Sequence, residues 1–88
     1  MKLEFTVHAL AVMAERRLLP EWVERVLRQP KWQEPDPNRP SVSLAFGPVP
    51  ERDDRILRVA YVVDNGATRV LTAFLDRTRR HGPRGTKS

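Results

Sequence analysis

His8 is the side chain of this sequence best suited to move a proton near neutral pH from within a patterned segment; the second histidine, His81, falls in a basic C-terminal stretch. Arg16 follows His8 at a spacing that, on a helix, returns to one strip together with Val12 and Glu15. Arg58 and Arg69 stand in two β-rich runs later in the chain. A histidine with arginines suffices for metal-free RNA cleavage. The 2′-hydroxyl must lose a proton, the leaving 5′-oxygen must gain one, and cationic donors must neutralise the phosphorane between them. His8, Arg16 and Arg58 are therefore the candidate catalytic residues, and Arg69, Arg77, Arg79 and Arg80 the candidate contacts for RNA or a partner. Each has an ordinary reading beside this one. An imidazole near a helix start can tie down that end, Arg16 can pair with a carboxylate, and arginines on a strand keep an exposed sheet soluble. Trp22 and Trp32 read as core or rim packing rather than as platforms for bases.

Other chemistries have little to draw on. The sequence contains no cysteine, which removes disulfides, thiolate nucleophiles and Cys-based zinc sites. No His, Asp and Glu spacing matches a metal site, no Gly-rich loop follows a strand to cradle phosphate, and Ser41, Ser43 and Ser88 lack a nucleophile-elbow context. Neither a metal nor a nucleotide cofactor is expected.

The elements that must position these residues are organised around a hairpin. Ile56 to Val63 and Arg69 to Leu75 are β-rich runs joined through Asp64-Asn65-Gly66-Ala67, and Asn-Gly in that setting supplies the positive φ values of a type I′ turn. With Asn65 and Gly66 as the loop, strict alternation sets Val63 opposite Thr68, Tyr61 opposite Val70, Val59 opposite Thr72 and Leu57 opposite Phe74. That face is a core. The other carries Ile56, Arg58, Ala60, Val62, Arg69, Leu71, Ala73, Leu75 and Arg77, and is expected to stay uncovered.

Upstream, Thr6 is positioned to cap a helix running to about Arg17, whose buried side is expected to be Val7, Leu10, Ala11, Ala14 and Leu18, widened by Met13. Pro20 opens a second helix with apolar edge Trp22, Val23, Val26 and Leu27, and Pro30 stops it. Residues 31–34 could form a short edge strand, Pro35, Pro37 and Pro40 enforce an extended loop, and residues 41–47 alternate as a half-buried strand. Residues 48–55 read as a polar loop, and residues 1–5 as a short lead. The expected fold is α+β: two N-terminal helices packed on one face of a three- to four-stranded antiparallel sheet.

The length of 88 residues fits one domain, with residues 1–76 as its body and 77–88 as a basic tail. The formal net charge of +5 belongs to that tail, since Arg77, Arg79, Arg80, Arg84 and Lys87 have no acid among them and the other basic residues equal the 11 acids in number. Such a tail can be a frayed, soluble end, or it can help hold RNA or an acidic partner. No long apolar run of signal or membrane-spanning type is present, so the expected compartment is the cytoplasm, without a membrane partner.

Taken together, His8-Ala9-Leu10, Met13, Arg16, Leu18, Trp22-Val23, Val26-Leu27, Pro30, Leu57-Arg58-Val59-x-Tyr61 and Val70-Leu71-Thr72-Ala73-Phe74 resemble a family of small bacterial domains. These domains share a His-Ala helix with following arginines, a second helix and a β-meander. The family is similar, in the order of its elements, to the RelE, ParE and BrnT toxins of toxin-antitoxin modules. The resemblance implies a RelE-like fold with a concave sheet face opposite the helices. It also implies either metal-free cleavage of messenger RNA or translation inhibition, with RNA or the ribosome as target and an antitoxin-like protein as partner. A ParE-type alternative would act on a protein target such as gyrase. His8, Arg16 and Arg58 match the family pattern by position, whereas Val12 stands where the family usually has arginine and Arg17 where it often has glycine. A non-catalytic module is the competing expectation, with Ile56, Val62, Leu71 and Leu75 forming an interface to a homodimer partner or another protein.

Overall fold

The computed structural model describes residues 2–76. In chain order it contains β1 (Lys2–Phe5), α1 (Val7–Arg16), α2 (Pro20–Arg28), β2 (Trp32–Pro35), β3 (Ser43–Val49), a short 3-10 helix (Pro50–Arg52), β4 (Arg55–Asp64) and β5 (Ala67–Asp76). The strands form one five-stranded mixed sheet in the order β1-β5-β4-β3-β2. The α+β class is as expected, but the sheet is neither three- to four-stranded nor wholly antiparallel. The lead at residues 2–5 is the extra strand, pairing parallel to β5 with Leu3 opposite Thr68 and Phe5 opposite Val70. Its Lys-Leu-Glu-Phe alternation is too short to separate from an irregular end, and its partner lies at the other end of the described chain.

The hairpin turns where expected. Asn65 and Gly66 have φ values of 53° and 76°, and Val63 faces Thr68 and Tyr61 faces Val70. Beyond that the register changes. Ala60 faces Thr72, Val59 faces Ala73, Arg58 faces Phe74 and Leu57 faces Leu75, so β5 holds one residue, Leu71, without a counterpart on β4. This β-bulge inverts the rest of β5 relative to strict alternation. Ala73 and Leu75 join the core beneath the helices, while Phe74 goes to the opposite face, beside Arg58.

The bulge is tied to α1. Thr6 donates its backbone N–H to the Val70 carbonyl at 3.1 Å and its hydroxyl to the Leu71 carbonyl at 3.4 Å. The same hydroxyl oxygen accepts from the Ala9 N–H at 3.0 Å, as an N-cap should. Helix α1 ends at Arg17, in the left-handed region at φ 58°, where the Arg17 N–H bonds Ala14 and the Leu18 N–H bonds Met13. This sharp exit drops Leu18 into the core.

The face of α1 that enters the core is not the expected one. Ala9 and Met13 are buried and Val12 is half-buried, whereas Val7 is 85% and Leu10 49% exposed and Ala11 and Ala14 are exposed too. Both sides of the helix are apolar, so periodicity alone could not choose between them. On α2, Trp22, Val23 and Val26 are buried as expected. Val26 lies so close to Gly47 of β3 that a Cβ there would meet its Cγ2 at 3.2 Å. The core beneath the helices joins these residues to Ala45, Val49, Leu57, Val59, Val70 and Ala73.

The opposite face is not bare. Val42, Leu44, Phe46, Ile56 and Ala60 form a second buried cluster, with Trp32 stacked on Phe46 at 4.9 Å. An Asx turn feeds it: the buried Asp36 carboxylate accepts from the Asn38 and Arg39 N–H groups, and the loop closes so that Val42 points inward. The expectation of an uncovered second face is thereby corrected, and so is the aliphatic interface read from it. Ile56 is buried, and Leu75 packs into the core on the helix side.

Two stability outcomes follow from α1. Thr6→Ala removes the cap and the tie to the bulge and should cost about 1 kcal/mol, within roughly 0.5 to 2; a urea denaturation midpoint equal to that of the natural protein would sink this role. Met13→Ala should cost about 2 to 5 kcal/mol while Leu10→Ala stays within about 0.5; the reverse order would show that the helix is rotated as its sequence first suggests.

Candidate functional site

His8 lies in the first turn of α1, exposed. Arg16 lies in the last turn, roughly 12 Å further along the axis at 1.5 Å per residue. Arg58 is on the sheet face turned away from both helices, its guanidinium carbon 5.0 Å from the Phe74 ring centroid in a cation–π contact. The candidate triad is thus dispersed, with one group at each end of α1 and one across the sheet. Arg69 pairs with Glu4 across the β1–β5 junction at 3.7 Å. Arg77, Arg79 and Arg80 lie outside the described residues, and so does the basic tail as a whole.

Arg16 instead meets two arginines that the sequence left in a polar loop. With Arg52 of the 3-10 helix, Arg55 at the head of β4, Leu18 and Leu75, it lines a cleft of about 170 Å³. The local folding explains the convergence. Pro50 opens the 3-10 turn, and Asp53 and Asp54 follow with φ values of 59° and 58°, a left-handed pair that aspartate tolerates better than most residues. The Asp54 N–H then bonds the Val49 carbonyl at 3.0 Å, which sets Arg52 and Arg55 on either side of the reversal. Arg55 shares the strand parity of Leu57 and Val59, so it projects on the helix side of the sheet. Nothing periodic marks Arg52 and Arg55. Their only sequence signal is a pair of arginines bracketing Asp53-Asp54 behind a proline.

The turn is clasped to α2 from the other side. Arg25 donates to both oxygens of Glu51, at 2.9 and 2.6 Å, in a fork-to-fork pair. The Arg25 hydrogen bond holds the Glu51 carboxyl down at about 2, and Arg25 is itself raised by the same partner. Both side chains are 44% exposed, so the clasp orients Arg52 more than it stabilises the fold. The wider depression along α2, about 860 Å³ and lined by Glu24, Arg25, Leu27 and Arg28 among others, offers less free charge. Arg28 there pairs with Glu24 at 2.6 Å.

Among the described residues no group of three or more His, Asp and Glu side chains could hold a metal ion, and no helix is long and apolar enough to cross a membrane. The whole arrangement, from the end of β1 through Leu75, coincides with one family match: a domain of unknown function, DUF4258, over residues 5–75. The chain belongs to the DUF4258 family. No curated protein and no solved structure matches it. The DUF4258 match takes in α1, both arginine-bearing turns and the hairpin as far as Leu75, one residue short of the end of β5.

The Glu51 clasp predicts a pH dependence. Its folded-state carboxyl is depressed from 4.5 to about 2, so its contribution is complete above the unfolded value and is lost as pH falls from about 4.5 through about 2. Urea midpoints of the natural protein and Glu51→Gln should differ near neutrality and converge between pH 4 and pH 2; a gap that persists at the lowest pH would show that the clasp is not the cause.

Proposed function

We propose that this DUF4258 protein is a non-catalytic interaction module of toxin-like kind, which holds an acidic partner protein on the outward face of α1. The observation that carries this reading is the apolar stripe Val7, Leu10, Ala11 and Ala14, turned away from the core. Large aliphatics are costly to leave in water in a contiguous row, and a stripe of this kind suits the apolar face of a second helix.

The class of partner follows from size and charge. Helix α1 is 10 residues long, about 15 Å, too short for a stable self-paired interface of about 800 Å² per partner unless neighbouring surface is recruited. Arg17 stands at the end of the stripe, and the chain's net charge of +5 belongs to the sequence after residue 76. Two copies would repel; an acidic partner would be attracted and steered. The resemblance to RelE, ParE and BrnT toxins supports the same picture, since such toxins are held by antitoxins.

The competing reading is a metal-free ribonuclease acting on messenger RNA or the ribosome. It asks for a general acid or base beside the cationic group that binds phosphate, and His8 stands at the far end of α1 from Arg16. Dispersal of His8, Arg16 and Arg58 favours binding over cleavage.

The test is induced expression in bacteria together with the product of the adjoining gene. The natural protein and His8→Ala should co-purify with that product while Leu10→Glu does not, and bulk messenger RNA should stay intact. Cleavage of messenger RNA by the natural protein but not by folded His8→Ala would overturn the reading in favour of the ribonuclease. Retention of the partner by Leu10→Glu would remove α1 as the seat.

A further inference from the structure

We infer that the cleft between Arg16, Arg52 and Arg55 is a binding site for a phosphate monoester, independent of whatever α1 holds on its outward face. Three guanidiniums reach it from three separate elements: the end of α1, the 3-10 turn and the first residue of β4. None of the three takes part in an ion pair or side-chain hydrogen bond among the described residues, although Arg25, Arg28, Arg39 and Arg69 all have carboxylate partners. Among the described residues no carboxylate lines the cleft. Asp53 and Asp54 lie next in sequence to Arg52 and Arg55, but the left-handed pair turns them out to solvent.

Holding three like charges together without a counter-charge opposes folding, so the arrangement calls for an anion. Among the described residues the remaining walls are Leu18, which is buried, and Leu75, which packs into the core. Apolar walls limit the water that would otherwise screen the cations, and among the described residues the three arginines are the only polar side chains that line the cleft. A volume of about 170 Å³ holds roughly six waters at their liquid share of about 30 Å³, which is room for one tetrahedral oxyanion and the start of its ester group.

Geometry also chooses the kind of phosphate. A diester backbone is monoanionic at each unit and is gripped by cations spaced along a track. Here Arg16, Arg52 and Arg55 line one small cleft and not an extended track, which suits a terminal phosphate, dianionic near neutral pH, with several oxygens free for forked donors. Arg16 and Arg55 are also fixed at their bases by the helix cap and the strand ladder, and Arg52 by the Arg25–Glu51 clasp beside it.

The same chemistry could come from a small phosphorylated metabolite such as a nucleoside monophosphate or from the 5′-phosphorylated end of an RNA strand. One titration separates them. The Nε–Hε resonances of the arginines are followed by NMR in the full-length protein as inorganic phosphate, a nucleoside monophosphate and a short oligoribonucleotide with either a 5′-phosphate or a 5′-hydroxyl are added. Inorganic phosphate and both phosphomonoesters should move the Arg16, Arg52 and Arg55 signals, and the 5′-phosphate oligomer should bind at least about tenfold more tightly than its 5′-hydroxyl twin. Equal affinity for oligomer and monophosphate would identify a small ester as the ligand; tighter binding of the oligomer would identify an RNA end. Arg52→Gln and Arg55→Gln should each weaken binding by about tenfold with the amide spectrum otherwise unchanged, and Arg52→Lys, which keeps the charge but loses the fork, should fall between. Equal binding of the two oligomers, failure of inorganic phosphate to move the three signals, or full affinity in the folded glutamine variants would overturn the inference.

Discussion

The Thr6 hydroxyl joins the two features on which the rest of the arrangement depends, the start of α1 and the bulge in β5. It accepts from the Ala9 N–H, one of the orphan donors of the helix start, and it donates to the Leu71 carbonyl at the one residue of β5 that β4 does not match. A bulge breaks the ladder locally, and a carbonyl released in that way must find a donor or lose free energy. Here the donor is the N-cap itself. The point at which β1 gives way to α1 is thereby pinned to the point at which β5 changes face. Every side chain beyond Leu71 takes its place from that junction, including Leu75, which floors the arginine cleft, and Phe74, which receives Arg58.

That junction also decides which side chains of β5 reach each face of the sheet. Were β5 strictly alternating, Phe74 would lie beneath the helices and Leu75 outside. With the inversion, Ala73 and Leu75 pack against the helix-side core, and Phe74 joins an opposite face that already holds Phe46, Leu44 and Ile56. Arg58 then has an aromatic neighbour over which to lie, 5.0 Å from its guanidinium carbon.

Much of the fold was legible because its signals are local. Thr6 as cap, Pro20 as the opening of α2, Pro30 as its stop and Asn65-Gly66 as the turn each act through the conformational limits of one or two residues, and all four lie where those limits place them. What could not be read depends on distant partners. The bulge requires Thr6 to meet Leu71, β1 requires β5, and the orientation of α1 requires a choice between two apolar faces that only packing on Val70 and Ala73 can make. The candidate site divided the same way. Arg16 was recognisable from its helix, but its companions Arg52 and Arg55 come from a turn whose shape is set by two left-handed aspartates and a clasp to α2.

The same division bears on what the molecule can do. Catalysis by proton transfer needs an acid or base within hydrogen-bond reach of the reacting oxygens, and a little over two turns of helix, roughly 12 Å, separate His8 from Arg16, whose guanidinium would hold a phosphate. Binding has no such requirement. It needs charge and donors or an apolar surface matched to the ligand, and α1 borders one of each: the arginine-lined cleft at its end and the apolar stripe along its outer side. The two surfaces lie on one helix but face different ways, because Arg16 shares the inward side with Ala9 and Met13 while Leu10 and Ala14 point outward. A partner seated on the stripe therefore leaves the mouth of the cleft open unless it extends past Arg17, and the length of that extension is what would couple the two sites or keep them independent.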